Sequence, residues 1–93
     1  MRYSEAAHYA RRLRALGDRR RLEAVRDAVL ALMDSLDSGQ RPPIGLGLKL
    51  LRPSLWETRS TLKDRVIFLW DGGTITFLAV GTHDEIRRFL RTR

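Results

Sequence analysis

The sequence predicts an α+β fold in which a helical hairpin packs on a three- to four-stranded antiparallel sheet and a short helix closes the chain. Three observations predict it. Over residues 4–37 the apolar side chains recur at helical spacing. Beyond residue 46 they come instead in short segments rich in β-branched and aromatic residues. Between two of those segments "DGG" at 71–73 is a hairpin signal, because its glycines tolerate positive φ. With 93 residues the chain is one domain, 1–93, with a thin core that invites support from a partner.

"SEAAHYARRLRAL", 4–16, reads as a helix capped by Ser4, with Ala6, Ala10 and Leu13 on one stripe. "GD" at 17–18 breaks it, and Asp18 is placed to cap a second helix over 19–37. That helix carries Leu22, Val25, Val29, Leu32 and Leu36 at helical spacing. Gly39 suits a left-handed stop before the loop "QRPPIG". "GLKLLR", "LWETRSTL", "RVIFLWD" and "TITFLAVG" then read as strands of a meander, with a looser turn at "TLKD". "VIFLW" is apolar on both faces, which marks the central strand. Thr82 and Glu85 have capping-box spacing, so the last helix starts at His83.

Composition removes several function classes. The chain is 43% hydrophobic and 31% charged, which suits a globular fold and is too apolar for a disordered one. "AVLALM" and "VIFLW" are too short to cross a bilayer, and "MRYSEAAHYARR" has no apolar signal pattern, so no membrane is expected. The absence of cysteine removes disulfides and thiolate chemistry and fits a cytoplasmic protein. Two distant histidines without cysteines make no metal set, and "GLGLK" lacks the rest of a phosphate loop; no cofactor is expected. The net charge of +7 favours polyanionic partners, and sixteen of the 18 basic residues are arginine. Arginine suits bidentate phosphate contact, although the same bias also follows from coding preference. The run "DRRRLE" reads either as a solvated helical face or as a nucleic-acid contact.

Chemistry concentrates around "WETRSTLKDRVIF". Alternation puts Glu57 and Arg59 on one strand face, and Arg65 opens the next strand. With Lys49 and Lys63 they could surround Glu57 with cations in a phosphate-sized pocket. The alternative is a cross-strand ion pair of Glu57 with Arg59 or Arg65. His83, at a helix amino terminus that disfavours imidazolium, could accept a proton beside a bound phosphate, or stand exposed without a task. His8 reads as a surface or packing residue.

In order, "YSEAAHYARRLRAL", "GLKLLRPSLWETRS", "DRVIFLW" and "ITFLAVGTHDEIRRFL" resemble the RelE/ParE superfamily of bacterial toxins, the toxic halves of type II toxin–antitoxin pairs. The resemblance spans nearly the whole chain. The tryptophan-glutamate-x-arginine strand before an arginine-valine-isoleucine-aromatic strand is its most specific part. It implies a RelE-like, metal-independent endoribonuclease acting on translated mRNA at the ribosome and neutralised by a cognate antitoxin. The alternative is a DNA gyrase inhibitor, or a weakly catalytic antitoxin-binding protein. By position, Arg65 matches the phosphate-stabilising arginine, Arg59 and Glu57 match the preceding strand's pair, and His83 matches the carboxy-terminal proton-transfer residue. Lys49, Lys63, Arg52 and Arg87 complete the set expected to contact RNA. Two departures stand out. The only tyrosines are Tyr3 and Tyr9, whereas many members place an aromatic near the carboxy terminus. "MRY" also leaves almost no room for the strand that commonly precedes the first helix.

Overall fold

In the computed structural model, which describes residues 1–61 and 63–92, the chain begins with a strand, β1 (Arg2–Glu5). Two helices follow, α1 (Ala7–Arg14) and α2 (Arg19–Ser38), then a 3-10 turn, Ile44–Leu46. The remainder is β2 (Lys49–Arg52), β3 (Leu55–Arg59), β4 (Asp64–Asp71), β5 (Thr74–Thr82) and α3 (His83–Arg91). The sheet order is β1-β5-β4-β3-β2, so β4 is central as its two apolar faces require. Strands β2 to β5 form the expected antiparallel meander.

β1 corrects the expectation that "MRY" leaves no room for an amino-terminal strand. It pairs parallel with β5, Tyr3 opposite Ile75, and makes the sheet five-stranded and mixed. Its tyrosine hydroxyl donates to the Met33 carbonyl and to Asp37 on α2, pinning the strand across the hairpin. The Ser4 cap is likewise corrected. Ser4 lies in β1 and donates to the Thr76 hydroxyl, while α1 begins after Ala6 with no side-chain cap.

The other local signals hold. Asp18 accepts from the Arg20 amide at the start of α2, and Gly39 ends that helix at φ +72°. Thr82 and Glu85 form the capping box of α3. Asp71 pairs with Thr74 across the hairpin, with Gly72 at φ +59°. The turn expected at "TLKD" includes Leu62, which lies outside the described residues.

Two apolar layers flank the sheet. On one face Val25 and Leu32 of α2, with Tyr9 and Leu16, pack on Val66, Phe68, Ile75 and Phe77. The buried line of α2 is Val25, Ala28, Leu32 and Ser35, rotated slightly from the expected stripe. On the other face Ile86 of α3, backed by Phe89 and Leu90, packs on Leu55, Ile67, Leu78 and Ala79. An irregularity between Ile67 and Phe68 leaves Leu78 extra in β5, a bulge that buries consecutive β5 side chains. Among the described residues no helix is long and apolar enough to cross a membrane.

Candidate active site

The apolar cover from α3 ends at Ile67, and the polar side chains of "WETRSTLKDRVIF" continue beyond it. Consecutive strand residues face opposite ways, so Asp64 and Arg65 at the start of β4 point to different layers. Asp64 faces the helical hairpin and is fully buried. Arg21 meets it with a two-point contact, Nε to Oδ2 at 3.0 Å and Nη2 to Oδ1 at 2.8 Å. That hydrogen-bonded carboxylate raises the Arg21 pKa above its ordinary value.

Arg65 faces the other way, toward Glu57. Its Nε stands 3.8 Å from Glu57 Oε2, an ion pair beyond hydrogen-bonding range. Its Nη1 donates to the Thr61 carbonyl at 3.3 Å. Both side chains are largely covered, 18% and 17% exposed. Lys49 lies directly opposite Glu57 in the β2–β3 register. Thr82 pairs with Asp64 and Gly81 with Arg65, so His83, the first residue of α3, stands at the same end of the sheet as Arg65. Arg87 lies one helical turn beyond His83, and both are exposed.

The α3 amino terminus that carries His83 is firmly built. Glu85 Oε1 accepts from the Thr82 amide at 2.9 Å, and the Thr82 hydroxyl accepts from the Glu85 amide. Arg12 of α1 pairs with Glu85. The Glu85 pKa is lowered, first by the Thr82 backbone bond against opposition from burial, then by the Thr82 hydroxyl and the charges of Arg12 and Arg21. His8 stacks on Phe89 with centroids 4.8 Å apart, so α1 holds α3 at two points.

The structure thus brings Arg65, Glu57 and Lys49 together, with His83 at the same sheet end. It takes two expected members elsewhere. Arg59 is the register partner of Arg65, but its guanidinium lies over Gly47 and lines a cleft beside α2. A Cβ at Gly47 would stand 2.6 Å from Arg59 Nε. Arg52 ends β2 three residues beyond Lys49 and donates to the Leu90 carbonyl at the far end of α3. Lys63 is exposed in the approach to β4. Neither tyrosine is near this chemistry. Tyr3 is bonded to α2 and Tyr9 is a core residue, and burial pushes both hydroxyls up to about 12.

The Arg21–Asp64 and Arg12–Glu85 pairs were not anticipated from sequence, although a signal for the first exists. Arg21 lies four residues before Val25 and seven before Ala28, on the buried line of α2. Asp64 alternates with Val66 and Phe68 on the face of β4 that this line covers. A basic residue in "DRRRLE" was therefore aimed inward rather than at solvent, and an inward acid stood opposite it.

No family model matches the sequence, and no curated protein resembles it at a significant level. Solved structures do. YafQ from E. coli in the DinJ–YafQ toxin–antitoxin complex is 15% identical, with TM-score 0.71 over 90% of this chain and 93% of that one. The YoeB/ParE toxin from Agrobacterium tumefaciens is 16% identical, with TM-score 0.65 over 89% and 99%. The toxin-sized match in the RelB–RelE antitoxin–toxin complex from Methanococcus jannaschii is 15% identical, with TM-score 0.65 over 91% and 95%. The chain has the RelE/ParE toxin fold over nearly its whole length.

Proposed function

We propose that the chain is the toxin of a type II toxin–antitoxin pair and cuts mRNA as a metal-independent endoribonuclease, held inactive by a cognate antitoxin. The observation that carries this reading is the cluster at one end of the sheet, where Arg65 stands beside Glu57, Lys49 lies opposite Glu57 in register and His83 opens α3. A guanidinium fork and an ammonium beside a carboxylate are suited to a phosphate and a proton transfer next to it. The fold shared with toxins solved in complex with DinJ and RelB supports the partner class.

The reaction needs one base, one acid and cations. A ribose 2′-hydroxyl gives its proton to Glu57 or His83, and its oxygen bonds to the adjacent phosphorus. Arg65, with Lys49 beside it, stabilises the negative phosphorane. The bond to the 5′-oxygen breaks, and that oxygen takes a proton from the other member of the pair, leaving a 2′,3′-cyclic phosphate. Arg87 extends the cationic surface from His83, and Lys63 that from Arg65.

A gyrase-directed or weakly catalytic toxin is the second reading. Its supporting observation is that Tyr3 and Tyr9 are both committed to structure, which leaves no tyrosine for the site. Inducing the chain without its partner tests both readings. New RNA ends bearing cyclic phosphate or 3′-phosphate support the nuclease. Lost supercoiling with intact RNA supports the gyrase-directed toxin. Purification with the product of the adjacent reading frame tests the antitoxin, and a harmless chain that stays alone overturns the toxin reading.

A further inference from the structure

Arg59 makes no hydrogen bond or ion pair with any described residue. It lines an open cleft of about 420 Å³ between α2 and the 3-10 turn, within the size range of small-ligand sites. α2 contributes Ala24, Asp27, Ala28 and Ala31, one face at helical spacing, and Leu46 forms part of the opposite wall. The alanines keep the slot open. Asp27 is exposed and pairs neither with Arg59 nor with any other described cation. At the end of β3, Ser60 lines the same cleft with a buried hydroxyl that has no partner among the described residues.

This donor set excludes several ligands. A phosphate or lone carboxylate would meet Arg59 but be repelled by Asp27. A wholly apolar group would leave both charges unanswered. What fits is a flat neutral ring with acceptors on one edge and donors on another. Guanine has that pattern, since its O6 and N7 accept from an arginine fork and its N1–H and N2–H donate to a carboxylate. Such rings are read from single strands when the base is splayed out of the stack.

We infer that the cleft between α2 and the 3-10 turn binds an unstacked guanine base of the RNA strand, with Arg59 and Asp27 reading its two edges. The inference rests on the RNA-cleaving reading and extends it to sequence preference. Arg59 is the register partner of Arg65, and such Cα atoms lie about 5 Å apart. Arg59 and Arg65 leave neighbouring strands at the same end of the sheet, Arg59 toward the α2 cleft and Arg65 toward α3, so a strand with a phosphate at Arg65 reaches the cleft by passing around that end.

The test is an amide-shift titration of the labelled protein with guanosine, adenosine, cytidine and uridine, which carry no phosphate. Guanosine is expected to move the amides of Ala24, Asp27, Gly45 and Ser60, and to bind about tenfold or more tighter than the others. Asp27→Ala, an exposed change on a helix surface, should remove that preference and leave distant amides unmoved. With RNA, Asp27→Ala should level cleavage between guanine-containing and guanine-free sites. Guanosine shifts with no RNA cleavage by the native chain sustain the cleft and remove the nuclease. RNA cleavage without guanosine shifts overturns the cleft and leaves the nuclease. Shifts at these amides from an acidic peptide but from no nucleoside overturn it in favour of a protein partner.

Discussion

Asp64 and Arg65 are neighbours in β4, yet the protein answers their charges in opposite ways. On the hairpin side Asp64 has no exposed surface, and Arg21 satisfies both of its oxygens at 2.8 and 3.0 Å. On the α3 side Arg65 stands 3.8 Å from the Glu57 carboxylate and donates to the Thr61 and Asp64 carbonyls. The Arg21–Asp64 pair is a close two-point contact, and the Arg65–Glu57 pair lies beyond hydrogen-bonding range. A buried charge matched by a two-point contact is committed to the fold, whereas under the proposed function Arg65 is the charge that meets a phosphate. The same contrast recurs in the pair of arginines on β3 and β4. Arg59 and Arg65 are register partners, yet only Arg65 keeps a carboxylate within 4 Å.

The largest expected effect falls on the closed side. Removing one partner of a buried pair leaves the other charge unmet, at about 3–5 kcal/mol. Arg21→Ala or Asp64→Ala should therefore lower the melting temperature sharply. An Arg21→Met, Asp64→Leu double variant should recover much of that loss, because an apolar pair of similar volume removes the stranded charge. Chemical denaturation of the three variants measures it. A single variant as stable as the native chain would break the comparison, since Asp64 would then be no better answered than Arg65.

On the open side the loss should appear in rate rather than stability. His83→Gln should slow single-turnover cleavage about a hundredfold to ten-thousandfold and change the pH–rate profile, with RNA affinity nearly unchanged. Arg65→Ala should slow it about a hundredfold to a thousandfold, on the scale of losing one charge-stabilising donor. Arg65→Lys should restore little, because a point charge does not reproduce a planar fork. Melting temperatures of Arg65→Ala and Glu57→Gln should stay close to the native value. If both fall together, Arg65 and Glu57 are a structural pair and the two faces of β4 are alike.

How much of this was legible follows the reach of each signal. The capping box at Thr82 and Glu85 and the Gly39 stop involve residues within one turn, so the sequence states them directly. β4 was legible from its two apolar faces. β1 was not, because four residues carry too little alternation and the strand is defined by its parallel partner β5, 72 residues away. Ser4 looked like a helix cap for the same reason, its true partner being Thr76. In the site, strand parity placed Glu57 and Arg59 on one face, but parity describes Cβ directions only. A long arginine at a strand end can turn around the edge, as Arg59 does over Gly47.

The smallest expected effect concerns the device that holds His83 in place, and it sharpens the contrast from the closed side. Glu85 is tied to Thr82 and to Arg12, and its pKa lies below the ordinary 4.5. A carboxyl whose folded pKa is depressed contributes stability above its unfolded pKa and loses it as pH falls through the folded value. The start of α3 should therefore loosen under acid, below about pH 4.5. Glu85→Gln keeps an oxygen for the Thr82 amide but loses the charge that Arg12 meets. At neutral pH it should cost up to about 1 kcal/mol, since the Arg12–Glu85 pair is partly solvated. As pH falls from the unfolded carboxyl range through the depressed folded value, the variant and the native chain should converge, because the native carboxyl is then protonated as well. Amide exchange along residues 83–91, followed from pH 7 to pH 3.5, reads this locally. A native chain whose α3 exchange is flat across that range would mean that the His8–Phe89 stack and the Ile86 contacts alone hold the helix. The position of His83 would then owe nothing to a matched charge.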